Sequence, residues 1–255
     1  MNSSVLLTTS WDDGSVEDLR LAEMIARHSL GGTFYIPREC IFGKRLSVEE
    51  IRELASIPGV EVGAHTISHA NLRDLSVEEV RAELVEGKDW LQDILGEEVR
   101  AFCYPMGKFR RWMIREVAKA GYVAGRTTMN CRMDLKFNPL CMPTTVQVYP
   151  HSWSSQMRHA LLERNLRATS ILRRPWKAED APSKIVCDAV ASSSVAQIHV
   201  WGHSWEVDNE GLWELLDQLL VRLAGEKFRV CTNGELASEV WRLKGVGEDS
   251  IAQSV

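Results

Sequence analysis

The hydrophobic positions of the chain alternate between short apolar runs and longer stretches with helical spacing. Strands are predicted at 5–10, 33–36, 60–64, 99–104, 122–127, 144–149, 196–201 and 228–231. Helices are predicted at 16–28, 47–56, 76–95, 110–120, 154–165, 212–223 and 235–243. This alternation predicts an α/β fold with a parallel sheet, either open or closed into a barrel.

Two of the predicted helices begin with the same polar signature. Ser47 is followed three residues later by Glu50, and Ser76 by Glu79, a spacing typical of a capping box. The two boxes start 29 residues apart, which is about the length of one βα unit. No linker or low-complexity stretch divides the sequence, so a single domain over residues 1–255 is expected.

Composition narrows the class of protein. The 255 residues are 45% apolar and 25% charged, as in soluble globular proteins, which excludes disordered, collagen-like and membrane classes. The net charge of −5 lacks the basic field of nucleic-acid-binding proteins, so no nucleic-acid partner is expected. No apolar run approaches the ~18 residues of a membrane-spanning helix. The nine tryptophans, against six phenylalanines and four tyrosines, suggest a need for wide apolar faces.

The N-terminal residues and the cysteines suggest a compartment. Residues 1–9 lack the pattern of a signal peptide, and the six cysteines form no Cys-x-x-Cys pair. Reduced thiols and a cytoplasmic location are therefore expected. The sequence alone leaves the oligomeric state open.

Two polar clusters follow predicted strands, where α/β barrels build their active sites. Asp12 and Asp13 come after the first strand, and one carboxylate there could bind a cation while the other stays free as a base. The alternative is that they cap the helix near Val16. His65 and His69 follow the third strand, and on one helical turn their imidazoles could share an ion such as Zn²⁺. The alternative is a pair of surface histidines.

A third cluster lies at residues 198–206, around the end of a late strand. Strand alternation places His199, Trp201 and His203 on one face, with His203 at the strand end where a reacting group is expected. The alternative for each histidine is a buried side chain that hydrogen-bonds to the backbone, which suits His199 better than His203.

In this order, the clusters resemble the motifs of the polysaccharide deacetylase family, carbohydrate esterase family four. Residues 10–14 (Ser-Trp-Asp-Asp-Gly) stand in place of its Thr-Phe-Asp-Asp-Gly, and 65–69 (His-Thr-Ile-Ser-His) match its His-Ser/Thr-x-x-His in full. Residues 102–107 (Phe-Cys-Tyr-Pro-Met-Gly) match Phe-Arg-Pro-Pro-Tyr-Gly in part, and 201–203 (Trp-Gly-His) correspond to Leu-x-His. The resemblance covers nearly the whole chain and implies a distorted barrel of the (β/α)7 type.

The resemblance also implies a role for each matching residue. Asp13, His65 and His69 would hold a divalent metal, Asp12 would be the general base on the attacking water, and His203 would be the general acid. Two imidazoles and a carboxylate suit Zn²⁺, which we take as the expected ion, and also Co²⁺, Ni²⁺, Mn²⁺ or Fe²⁺.

Four further residues are expected around the substrate by the same resemblance. The backbone N–H of Met106 would take the place of a tyrosine N–H in the oxyanion hole. Tyr104 and Trp11 belong to the same motifs, and Trp201 replaces a leucine that lines the acetyl pocket.

One departure from the family concerns the general base. Many members have an arginine where this sequence has Cys103, and that arginine orients the base. Arg100 is near in sequence, but strand alternation turns it to the opposite face. Arg126, at the end of the next strand, is our candidate replacement, and the alternative is that it is a surface residue.

The expected activity is removal of an N-acetyl group from an amino sugar. A cytoplasmic member would act on a sugar precursor of bacterial surface polysaccharide such as O-antigen. Two alternatives stay open: a related barrel hydrolase acting on a non-sugar amide, and a metal- or sugar-binding protein that has lost catalysis along with the motif arginine.

Overall fold

The computed structural model describes residues 5–39, 43–149 and 195–255, with isolated positions at 154, 157, 158 and 161. The helix predicted at 154–165 falls almost wholly outside the described residues. The described strands are β1 (Leu6–Asp12), β2 (Gly32–Ile36), β3 (Val60–Ala64), β4 (Ala101–Cys103), β5 (Ala124–Arg126), β6 (Val146–Gln147), β7 (Gln197–Gly202) and β8 (Arg229–Val230). The described helices are α1 (Glu17–Arg27), α2 (Val48–Ser56), α3 (Val77–Leu95), α4 (Met113–Lys119), α5 (Ser204–Asn209), α6 (Trp213–Ala224) and α7 (Asn233–Leu243).

The strands form one parallel sheet in the order β5-β4-β3-β2-β1-β7-β6, and β8 pairs with the beginning of β1. All seven residues of the central strand β1 are buried. Its buried polar side chains have partners: Thr9 Oγ1 donates to the carbonyl of Gly31 at 2.9 Å, and Ser10 Oγ lies 2.8 Å from His199 Nε2.

The sheet curls until its edges meet. The backbone N–H of Met142 donates to the carbonyl of Gly125 in β5 at 2.7 Å, and that of Thr145 donates to His199 in β7 at 2.8 Å. The chain just before β6 therefore lies between β5 and β7 and closes the sheet. This confirms the predicted α/β fold with a distorted barrel.

Both predicted capping boxes are present. The N–H of Glu79 donates to Ser76 Oγ at 3.3 Å, and Glu79 Oε2 accepts the N–H of Ser76 at 2.7 Å. Ser47 and Glu50 do the same at the start of α2. Reciprocal caps satisfy amide groups that a helix start otherwise leaves unpaired, and they fix where α2 and α3 begin. None of the described helices has the length and apolar content needed to span a membrane.

Candidate active site

The predicted polar clusters meet at one edge of the sheet. Asp12 ends β1 and Asp13 follows it, His65 follows β3, and His203 follows β7. Because the strands are parallel, their carboxyl ends lie together. The helix-capping alternative for the two aspartates is not what the structure shows, since the N-cap of α1 is Val16 and no side chain caps it.

Asp13, His65 and His69 form a compact, buried group. Asp13 Oδ1 lies 3.6 Å from His65 Nε2 and 3.3 Å from His69 Nε2. The two imidazole rings meet edge to face with centroids 4.7 Å apart. One carboxylate oxygen and two ring nitrogens thus point at a common centre, an arrangement that can hold a metal ion.

Residues 65–69 are not a helical turn, so the sequence-based expectation for this segment was wrong. Thr66 and His69 have φ angles of 69° and 54°, in the left-handed region. Glu83 of α3 holds the loop by accepting the N–H groups of Ile67 at 2.7 Å and Ser68 at 3.0 Å. These contacts hold an unfavourable backbone in place and turn both imidazoles inward.

The protonation state of His65 favours a cation at this group. Its Nδ1 lies 2.8 Å from the carbonyl oxygen of Cys103, which can only accept, so Nδ1 carries the proton. Burial lowers the pKa of His65 to about 4, so the ring is neutral near pH 7. Its Nε2 lone pair then faces Asp13 Oδ1, which has no hydrogen-bond partner among the described residues. Two acceptors facing each other in a buried site fit a bound metal ion.

The other oxygen of Asp13 is held by a tryptophan that the sequence analysis did not assign. Trp205 Nε1 donates to Asp13 Oδ2 at 2.8 Å.

A second group of possible ligands, Asp12, His65 and Cys103, overlaps the first. Asp12 of this second group already pairs with Arg126, so we take the group of Asp13 as the candidate metal site.

Asp12 is positioned as a base beside this group. Arg126 Nη2 donates to its Oδ1, and His203 Nε2 lies 3.9 Å from its Oδ2. Burial opposes ionisation of Asp12, but the charge of Arg126, with smaller contributions from His65 and His203, holds its pKa below the ordinary value. Asp12 is thus an ionised carboxylate at neutral pH.

Arg126 is fully buried and reaches Asp12 from β5. Its guanidinium carbon lies 4.8 Å from the Trp201 ring and 5.4 Å from the Tyr35 ring. The surface alternative is therefore wrong. Arg100 lies on the outer side as expected, where it pairs with Glu248.

His203 is held by a carboxylate that follows it on the chain. Its Nδ1 lies 2.6 Å from Glu206 Oε2, and His203 itself is the N-cap residue of α5. Burial lowers the pKa of His203, but the bond to Glu206 and the charges of Asp12 and Asp13 outweigh that effect and raise it. Sequence reasoning missed Glu206, which stands three residues after His203.

The remaining predicted residues lie in different environments. Met106, after β4, is 46% exposed and has a φ of 55°. Tyr104 is buried, and its hydroxyl donates to the carbonyl of Leu140 at 3.0 Å. Trp11 has no exposed surface, so its ring packs in the barrel and offers no face to a substrate. Trp201 is 6% exposed and lies beside His203, with ring centroids 5.6 Å apart.

His199 is a buried side chain that hydrogen-bonds to the backbone, which was the alternative to a role in the reaction. Its Nδ1 donates to the carbonyl of Pro143 at 3.1 Å, and its Nε2 lies 2.8 Å from Ser10 Oγ. Burial, together with the charge of Arg126, lowers its pKa to about 3. His199 is thus a neutral, hydrogen-bonded side chain inside the barrel.

Comparison with known proteins agrees with this geometry. Residues 2–125 match the family model for polysaccharide deacetylase. YxkH of Bacillus subtilis, classed with the polysaccharide deacetylases, is 25% identical over 126 residues, which are 49% of this chain and 44% of YxkH. The chain therefore matches less than half the length of that relative.

Similar folds occur among solved structures. A protein from Mycobacterium smegmatis that is classed with the polysaccharide deacetylases has a TM-score of 0.63 at 13% identity, over 96% of this chain and 93% of that one. A family-four esterase domain of a xylanase from the hindgut metagenome of Trinervitermes trinervoides has a TM-score of 0.57 at 14% identity, over 96% of this chain and 93% of that one. A family-four pseudoenzyme from Bacillus anthracis has a TM-score of 0.52 at 20% identity, over 93% of this chain and 66% of that one. The motif residues are thus assembled at one site in this fold, and residues 2–125 of the chain match the polysaccharide deacetylase family.

Proposed function

We propose that the protein is a metal-dependent hydrolase that removes an N-acetyl group from an amino sugar. The observation that carries this proposal is Asp12. Its carboxylate is ionised, paired with Arg126 and separate from the group around Asp13, with His203 3.9 Å away. A site that only bound metal would have no use for a second, oriented carboxylate next to an imidazole.

The residues divide the reaction between them. A divalent ion held by Asp13, His65 and His69 would acidify water and polarise the amide carbonyl. Asp12 accepts a proton from the attacking water as its oxygen bonds to the acetyl carbon. His203 donates a proton to the sugar nitrogen as the carbon–nitrogen bond breaks, so acetate and a free amine leave. The backbone N–H of Met106 is our candidate donor to the developing oxyanion.

The finer proposal concerns the metal and the substrate. The mixed nitrogen and oxygen donors suit Zn²⁺, with Co²⁺, Ni²⁺, Mn²⁺ and Fe²⁺ as competitors. We propose as substrate an N-acetylated precursor of bacterial surface polysaccharide, O-antigen included, in the cytoplasm.

The test is acetate release from a panel of N-acetylated sugars, sugar nucleotides and oligosaccharides, with non-sugar acetamides for comparison. We expect release from at least one amino sugar, its loss after chelation, and its return when one divalent ion is added back. Release only from the non-sugar acetamides would favour the alternative hydrolase. No release from any compound by metal-loaded protein would contradict the proposal.

A further inference from the structure

The loops after β2, β3 and β4 carry an excess of positive charge. Residues 37–47, 65–76 and 104–112 contain seven lysines and arginines but only two acidic residues, in a chain with a net charge of −5. Five of these residues, all of them exposed, form what we call the basic rim: Arg38, Arg73, Lys108, Arg110 and Arg111.

The basic rim borders the candidate active site. The N–H of Arg38 donates at 3.2 Å to the carbonyl of Thr66, inside the loop that carries the two metal-site histidines. Arg110 Nη2 donates at 3.0 Å to the carbonyl of Arg73, which joins the loops after β3 and β4. Lys108 lies two residues beyond Met106. The rim thus follows three neighbouring strand ends, which are about 5 Å apart.

Within the part of the chain that the structure describes, no acidic side chain neutralises the charges of the rim. None of its five side chains forms an ion pair with any described residue. Asp74, one of the two acids in these loops, accepts a hydrogen bond from Asn71 at 2.6 Å instead. The opposite side of the site, after β7, carries the acidic Glu206. Charge of one sign beside a low-dielectric cleft raises the local concentration of ligands of the other sign.

We propose that the basic rim binds an anionic group of the substrate, so that the preferred substrate is an acidic N-acetylated amino sugar. This inference rests on the proposed function and narrows its substrate class. The anion can be a carboxylate or a phosphate, because the guanidinium fork pairs with both. The substrate then lies with its charged part over β2–β4 and its acetamide beside Asp12 and His203.

The experiment compares three substrates in metal-loaded protein. N-acetylchitotetraose is neutral, a hyaluronan tetrasaccharide carries carboxylates, and UDP-N-acetylglucosamine carries phosphates. The rim variants are Arg38→Glu and Lys108→Glu, on two different loops. Arg242→Glu is the control, because its side chain is 73% exposed on α7, outside the rim.

We expect kcat/KM to be higher for at least one acidic substrate than for the neutral one. Each rim variant should lower that ratio by about tenfold, as should added salt, while the control keeps the wild-type ratio. The acidic substrate with the higher kcat/KM shows whether the rim binds a carboxylate or a phosphate.

Two other results separate the inference from the proposed function. Equal kcat/KM for all three substrates, or a ratio that the rim variants do not change, would overturn the inference and leave the deacetylase proposal standing. If none of the three compounds is hydrolysed, the affinity of the protein for the same compounds tests the inference about the basic rim. Tighter binding of an acidic compound that is weakened by Lys108→Glu supports the inference, and equal binding overturns it.

Discussion

Cys103 and Arg126 are register partners on the adjacent parallel strands β4 and β5. Many family members have an arginine at the position of Cys103, and here the arginine lies one strand further along the sheet. From there Arg126 still donates to Asp12, whose Oδ2 is 3.8 Å from the Cys103 sulfur. We infer that the contact with the general base is kept although the residue that makes it has changed strand.

Replacing Arg126 should abolish most of the activity. Arg126→Ala leaves the buried Asp12 without its cationic partner, so we expect kcat to fall by about a hundredfold and the free energy of unfolding by about 3–5 kcal/mol. Acetate release and chemical denaturation measure the two effects.

A second variant distinguishes loss of the contact with Asp12 from a general loss of stability. Cys103→Arg on the Arg126→Ala background returns a guanidinium to the neighbouring strand, and we expect it to restore part of the lost kcat. A folded Arg126→Ala variant with wild-type kcat would show that Asp12 needs no arginine.

Trp205 should affect metal binding through Asp13. Its indole N–H fixes Asp13 Oδ2, which leaves Oδ1 turned towards the two histidines. Because residues that orient metal ligands tune affinity, Trp205→Phe should weaken Zn²⁺ binding about tenfold in competition with a chromogenic chelator. Trp213→Phe is the matched control, since its indole makes the same 2.8 Å bond to Asp208, outside the candidate active site. Equal loss in both variants would contradict the orienting role.

Glu206 should matter most when the leaving group needs a proton. Its carboxylate holds His203 Nδ1, so Glu206→Gln impairs proton donation to a poor leaving group such as an amine. We expect hydrolysis of the N-acetyl amide to slow by about a hundredfold, and hydrolysis of an aryl acetate, whose phenolate leaves unaided, to slow far less. An equal loss on both substrates would instead indicate that Glu206 only supports the local structure.

His199 should make stability depend on pH. The pKa of His199 is about 3 in the folded protein and 6.5 for an ordinary histidine, so between these values only the unfolded chain binds the proton. The folded state therefore loses stability as the pH falls below 6.5, by up to about 1.4 kcal/mol per pH unit.

The measurement is urea denaturation at pH 7, 6 and 5 with chelator present. His199→Gln should show a smaller loss of stability between pH 7 and pH 5 than the wild type does. The same pH dependence in both proteins would mean that another group is responsible.

Much of the barrel could be predicted because most of its strands are buried, so an apolar run such as 33–36 stands out and falls within β2, whose five residues are all buried. The family motifs located Asp12, Asp13, His65 and His69. The loop at 65–69 was missed because left-handed backbone at Thr66 and His69 has no glycine to signal it.

Two other site residues show a different limit. Glu206 lies on α5, a helix of six residues that is too short for a hydrophobic period, so the chain after His203 showed no helical pattern. Trp205 lies on the same short helix and was missed for the same reason. Arg126 was found because strand alternation turns Arg100 to the opposite face, whereas Arg126 stands at the end of the next strand along the chain.

The most direct test of the central claim compares wild type with Asp12→Asn at equal metal occupancy. Both proteins are loaded with Zn²⁺, their metal content is measured, and acetate release from the best amino-sugar substrate is followed. We expect equal metal content and a loss of at least about a hundredfold in kcat for Asp12→Asn, because an amide cannot replace a carboxylate as a base. Acetate release by Asp12→Asn at the wild-type rate would contradict it.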